Sequence, residues 1–202
     1  MRDLRFAGVE LGSNVNGIPL GDPSFDYFFE ACEALGAAVF VHAVRPAGMD
    51  RLVGPPVLQQ VLAYPTDVGL AAASMLTTNL IERRPKLRVA FSHGGGTLAL
   101  LLPRLEEAAR VFPVLDERLV ASPTAQARKF YYDDLVFSAP TLRHLVDTFG
   151  ASQILIGTDY PFNFRDRAPL QRLADAGFEA TTIEALLHGN AERYLDLEGN
   201  LQ

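Results

Sequence analysis

Cysteine occurs once in the 202 residues, at Cys32, so the chain can hold no internal disulfide and no metal site built from thiolates. Packing on a helix is its expected role. Long apolar runs are missing too. Runs such as Val68 to Leu76 are too short and too rich in alanine to span a bilayer, and no basic-then-apolar leader opens the chain. A membrane partner is therefore not expected, and the cytoplasm is the expected location. Positive charge is also scarce: 18 Lys and Arg stand against 24 Asp and Glu, a formal net charge of −6. The basic residues are scattered rather than striped, which leaves no footprint for a phosphate backbone and excludes nucleic acid as an expected partner.

Several catalytic signatures are absent as well. The chain contains no Gly-x-Gly-x-x-Gly fingerprint, no phosphate loop ending in Gly-Lys-Ser/Thr and no His-Glu-x-x-His zinc helix. The run "FSHGGG" from Phe91 to Gly96 resembles part of an esterase oxyanion hole. That chemistry needs a nucleophilic serine in Gly-x-Ser-x-Gly, and none exists here.

What is present reads as one folded domain over residues 1–202, with 49% apolar and 21% charged residues. Five short apolar stretches, "FAGVEL", "AAVFVH", "LRVAFSH", "KFYYDD" and "ILIGTD", alternate with longer amphipathic ones. This alternation predicts an α/β fold of β/α units around a parallel sheet. Asp22 and Pro23 predict a helix over Ser24 to Leu35 that Gly36 stops. A second helix is predicted from near Thr66 to Arg84, where Pro85 ends it. Ser138 and Pro140 open another that Gly150 closes, and Thr181 or Thr182 opens the last. Pro103, inside "TLALLLPRLEEAARVF", predicts a kink or a restart.

Three of the predicted strands end in residues that bind metals or move protons: His42, His93 and Asp159. Parallel strands in barrels and open sheets carry reactive side chains at their C-terminal ends, so these three should share one rim. Imidazole and carboxylate suit Zn²⁺ and related ions, and a histidine left over can serve as acid or base. His144 and His188 fall within or near the ends of predicted helices and are given structural roles.

These residues, with "GVELGSNVNG", "ERRPKLRVAFSHGGG", "KFYYDDLVF" and "ILIGTDYPF" in order along nearly the whole chain, resemble the amidohydrolase-related decarboxylases. The resemblance implies a (β/α)₈ TIM barrel of the metal-dependent hydrolase type, present as about five C-terminal β/α units. It implies that His42 and Asp159 are metal ligands and that His93 is the acid/base beside a metal-activated water. Arg104 matches an arginine that binds a substrate carboxylate across a dimer interface. The implied cofactor is a divalent metal, zinc with manganese as the alternative. The implied partner is a small carboxylic acid, unsaturated or aromatic, within a homodimer or larger homo-oligomer. The reaction expected is decarboxylation. A hydrolase or hydratase on the same scaffold, and a non-catalytic remnant acting as an interaction module, are the alternatives.

Two features depart from the family pattern. The His-x-His of its first strand is absent, and about three β/α units are missing ahead of Met1 to Leu4, which read as the tail of a helix. A late-assigned start or a truncated piece is the expected reason, ahead of a gene remnant or a half-barrel completed by another chain. With two ligands instead of the three usual for catalytic zinc, the chain alone is expected to hold metal weakly. Ala43 and Val44 also replace the Pro-Trp that follows the histidine of the family's fifth strand, which His42 matches, and this leaves the substrate open among carboxymuconate-type semialdehydes, hydroxybenzoates and other carboxylated rings.

Overall fold

The computed structural model describes residues 3–46 and 48–197. Five strands form one sheet: β1 (Gly8–Gly12), β2 (Ala38–His42), β3 (Arg88–Phe91), β4 (Tyr131–Asp133) and β5 (Ile154–Leu155). Each of these five pairs in parallel with the next of the five, so spatial order equals sequence order in this sheet, while Asn14–Val15 and Ile18–Pro19 form a separate antiparallel pair. All five predicted strands are present, and an arc of consecutive parallel units is a segment of a (β/α)₈ barrel. Strands β1 and β5 are its two edges among the described residues.

Helices follow the strands as the alternation requires. The first, α1 (Asp26–Leu35), is led in by a single turn over Pro23–Phe25, where the Asp22 side chain accepts from the Ser24 N–H at 2.9 Å. Gly36 ends it in the left-handed region at φ 62°, a conformation that costs glycine least. Next comes α2 (Tyr64–Thr77), entered through a wide turn at Gln59–Ala63. It starts before Thr66 and stops short of Arg84. Asn79, at φ 55°, breaks the helix, and a separate turn over Leu80–Arg83 carries the chain to Pro85. The Thr77 and Thr78 hydroxyls donate back to carbonyls of the last turn. The Asn79 side chain is spent outside the helix on the backbone of Arg118 and Val120. Such local bonds compete with helix continuation.

The third helix, α3 (Leu98–Val111), runs through Pro103 without restarting. Then come α4 (Ala139–Phe149), bounded by Ser138 and Gly150 as predicted, and α5 (Pro169–Ala176). The last predicted helix begins at Ala180, just before the two threonines. Met1 and Arg2, the start of the predicted helix tail, lie outside the described residues, while Asp3 to Arg5 form a turn.

The main core lies between the sheet and these helices. Phe91, Phe130, Tyr132 and Phe149 are fully buried there, with Phe91 edge-on to Phe130 and Tyr132 stacked on Phe149 at 3.7 Å. Burying a phenylalanine of this kind stabilises the fold by roughly 1.5–3 kcal/mol relative to exposure. Cys32 is buried in the same core and free, in the packing role expected of it. No helix among the described residues is long and apolar enough to cross a membrane.

Candidate metal centre and active site

Register decides which side chains meet. Gly12 is level with His42, and Val41 is level with Phe91, so His42 and the Ser92–His93 turn leave the sheet side by side. The Ser92 N–H donates to the Val41 carbonyl at 3.0 Å, which continues the ladder one step beyond the strand. The His42 and His93 rings then lie 5.1 Å apart between centroids. Asp159 reaches the same point from the loop after β5, with its Oδ1 3.9 Å from His42 Nε2.

The three residues each offer one ligand atom, all within 4.8 Å of one another. All three are half-buried. Two imidazoles and a carboxylate at that separation fit a divalent ion with positions left for water or substrate. The strand ends were expected to bring these three residues to one rim, and their donors do converge there. Tyr64, at the start of α2, closes one side with its ring edge-on to His42 at 6.2 Å.

The triple glycine serves this turn. Gly94, Gly95 and Gly96 all have positive φ, at 63°, 73° and 61°. A Cβ on Gly95 would lie 2.6 Å from the Tyr132 ring, and one on Gly96 would lie 1.8 Å from the Pro65 carbonyl oxygen. Glycine is needed here both for the backbone conformation and for the close approach. His93 itself sits at φ 55°, an uncommon conformation for a residue with a side chain.

Two acidic residues that sequence reasoning passed over support the site. Asp133, buried at the end of β4, accepts from the N–H groups of Gly94 at 2.8 Å and Leu135 at 3.1 Å. It thereby anchors the turn that carries His93. Burial raises its carboxyl above the ordinary value, against the pull of these backbone donors. Asp134, fully buried, accepts from the Gly157 N–H at 2.8 Å. The signal was present in "KFYYDD", which ends in acid at the same strand level as the other site residues.

Burial also sets the charge of His93. Its pKa is lowered to about 4, by desolvation first and by His42 second, with Asp159 opposing. The ring is therefore neutral near pH 7, with a nitrogen lone pair free to face a cation. Asp134 is shifted the opposite way, to about 6, because desolvation outweighs the neighbouring Arg172. Between the ordinary carboxyl value of 3.8 and about 6 the folded chain holds this proton while the unfolded chain releases it. Stability from this group is thus highest below that window and falls as pH rises through it. Asp134→Asn should remove that slope. In urea unfolding at pH 4 and pH 7, the wild type should lose roughly 2 kcal/mol relative to the variant on going to the higher pH; parallel behaviour would refute the shift.

The other candidates lie elsewhere. His144 and His188 are exposed, His188 facing Glu184 and Glu192, and neither joins the metal group. Arg104 is exposed on α3, about two turns from its start.

An amidohydrolase family model matches residues 1–197. The chain belongs to the amidohydrolase family. Among curated amidohydrolase relatives, the 2-amino-3-carboxymuconate-6-semialdehyde decarboxylase of Dictyostelium discoideum is 38% identical over 201 residues, covering 98% of this chain and 55% of that protein. The solved 5-carboxyvanillate decarboxylase of Sphingomonas paucimobilis superposes with a TM-score of 0.84 at 25% identity, covering 96% of this chain and 59% of the other. A dihydroxybenzoic acid decarboxylase from Polaromonas sp. JS666, solved with bound manganese, shares the fold at a TM-score of 0.84 and 18% identity, over 99% of this chain and 64% of its own. The amidohydrolase chain described here spans a little over half the length of such relatives.

Proposed function

We propose that this chain forms the metal-binding part of a decarboxylase that acts on a small carboxylated unsaturated or aromatic acid. The observation that carries this reading is the convergence of His42, His93 and Asp159 within 4.8 Å at one end of the sheet. Similarity to decarboxylases of aromatic and muconate-type acids supports the reaction class. In this reading His42 and Asp159 hold a divalent ion, zinc with manganese as the alternative. The manganese bound by the Polaromonas decarboxylase supports a divalent ion as such. When bound, the ion supplies a Lewis acid that polarises oxygen ligands and lowers the pKa of water.

The chain's own residues do the rest. His93, neutral near pH 7, takes a proton from water and passes it to the substrate carbon that bears the carboxylate. As CO₂ leaves, the electron pair of the broken C–C bond stays with the ring or diene, and the proton fills the vacated position. Asp133 keeps His93 aimed by fixing the Gly94 N–H. Arg104 is assigned to the substrate carboxylate across an interface between two copies of the chain.

The test is CO₂ release from a panel of carboxylated aromatic and muconate-type acids by the zinc- or manganese-loaded protein. Arg104→Ala should raise KM and leave kcat within a few-fold. Hydrated or hydrolysed products without CO₂ would overturn the reaction class, and an unaltered KM would return Arg104 to the solvated helix face.

A further inference from the structure

Arg172 is a charged residue at 6% exposure, yet it lies on α5, away from the three site residues. Its guanidinium stands between two carboxylates. One Nη is 2.8 Å from Asp134 Oδ2, and the other donates to Asp166 Oδ2. Both acids grip the segment that bears Asp159. Asp134 Oδ1 accepts from the Gly157 N–H at 2.8 Å, and the Asp166 N–H donates to the Thr158 carbonyl at 3.0 Å. The two residues just before Asp159 are thus each tied to a partner of the same arginine.

The clamp has work to do. Strand β5 is only two residues long, so the ladder has ended before Gly157 is reached. Asp159 also sits at φ 63°, a conformation an aspartate holds only when its surroundings impose it. A side chain on Gly157 would meet Asp133 Cβ at 2.9 Å, so the segment is also pressed close to β4. Burying a guanidinium and two carboxylates is costly and, as a pure stability device, is often no better than apolar packing.

We infer that Arg172 is a positioning residue, which through Asp134 and Asp166 fixes Asp159 in the orientation that a divalent ion requires. This rests on the reading of His42, His93 and Asp159 as a metal centre. It predicts that metal affinity responds to the clamp more strongly than fold stability does.

The experiment uses the 202-residue protein stripped of metal and titrated with Co²⁺ alone. The visible absorption bands of the bound ion give the dissociation constant and report the ligand geometry. Arg172→Met should weaken Co²⁺ binding by roughly 10–100-fold, the range for outer-shell partners of metal ligands, and alter the band shape. Arg172→Lys should recover only part of the affinity, because an ammonium lacks the two-armed fork. Asp166→Asn, a near-isosteric change in the loop, carries the same expectation and keeps the test open if Arg172→Met does not fold.

Leu173→Ala, on the same helix and buried, is the control. It should lower the thermal midpoint while leaving the Co²⁺ constant and spectrum unchanged. Dissociation constants within twofold of wild type in both the Arg172 and Asp166 variants would overturn the inference, as would an equal loss in Leu173→Ala. Failure of the wild type to bind Co²⁺ would strike instead at the metal centre, and would do so before any variant is made.

Discussion

Replacing His93 with alanine should cut CO₂ release by roughly a hundredfold or more while metal content stays near that of the wild type. The expectation follows from where the ring sits. It is buried enough to be neutral, its centroid is 5.1 Å from that of His42, and its backbone is fixed by Asp133 through the Gly94 N–H. Removing the imidazole leaves that anchor and the two proposed ligands in place. Proton delivery is lost, and with it the step that replaces CO₂ on carbon. Single-turnover kinetics with metal analysis on the same sample separates the outcomes. Full activity in His93→Ala would refute the acid/base role; loss of metal along with activity would make His93 a third ligand.

Asp159→Ala should fail in the opposite order, losing the ion first. The carboxylate is the only negative group among the three donors, and a dication left to the neutral His42 imidazole loses both a ligand and the charge that offsets its own. The affinity loss should exceed the roughly 10–100-fold typical of changes outside the ligand shell. Equilibrium dialysis against zinc or manganese measures it directly. Occupancy equal to wild type at the same free metal would exclude Asp159 as a ligand. The Asp134–Arg172–Asp166 clamp would then have lost its object, so the two experiments bear on one another.

Much of this arrangement was legible because strands announce their ends. The apolar runs end at Val41 and Phe91, and the polar residues that stop them, His42 and the pair Ser92–His93, sit at the rim by necessity. Asp159 was readable by the same rule although its strand is shorter than "ILIGTD" suggests. There the side chain of Asp134 replaces a strand neighbour in holding Gly157. What could not be read was the layer behind the site. Asp133 and Asp134 look alike in sequence, yet Asp133 holds the Gly94 N–H and Asp134 the Gly157 N–H and Arg172, partners that lie 23 or more positions away. Arg172 is 38 positions further along, and nothing local distinguishes it from a solvated helix arginine. The break at Asn79 was hidden for a similar reason: the bonds that draw its side chain away come from Arg118 and Val120, about forty residues later.

Sequence order and spatial order coincide throughout the sheet, and this has a consequence for how the site comes into being. A sheet whose described strands each pair with the next in the order can add one unit at a time as the chain leaves the ribosome. The metal-binding group obeys a different schedule. His42 arrives with the second strand and His93 with the third, but Asp159 follows the fifth, and its clamp arrives later still with Arg172. A nascent chain would therefore carry two closely set imidazoles for more than sixty residues of synthesis before the carboxylate that completes the group exists.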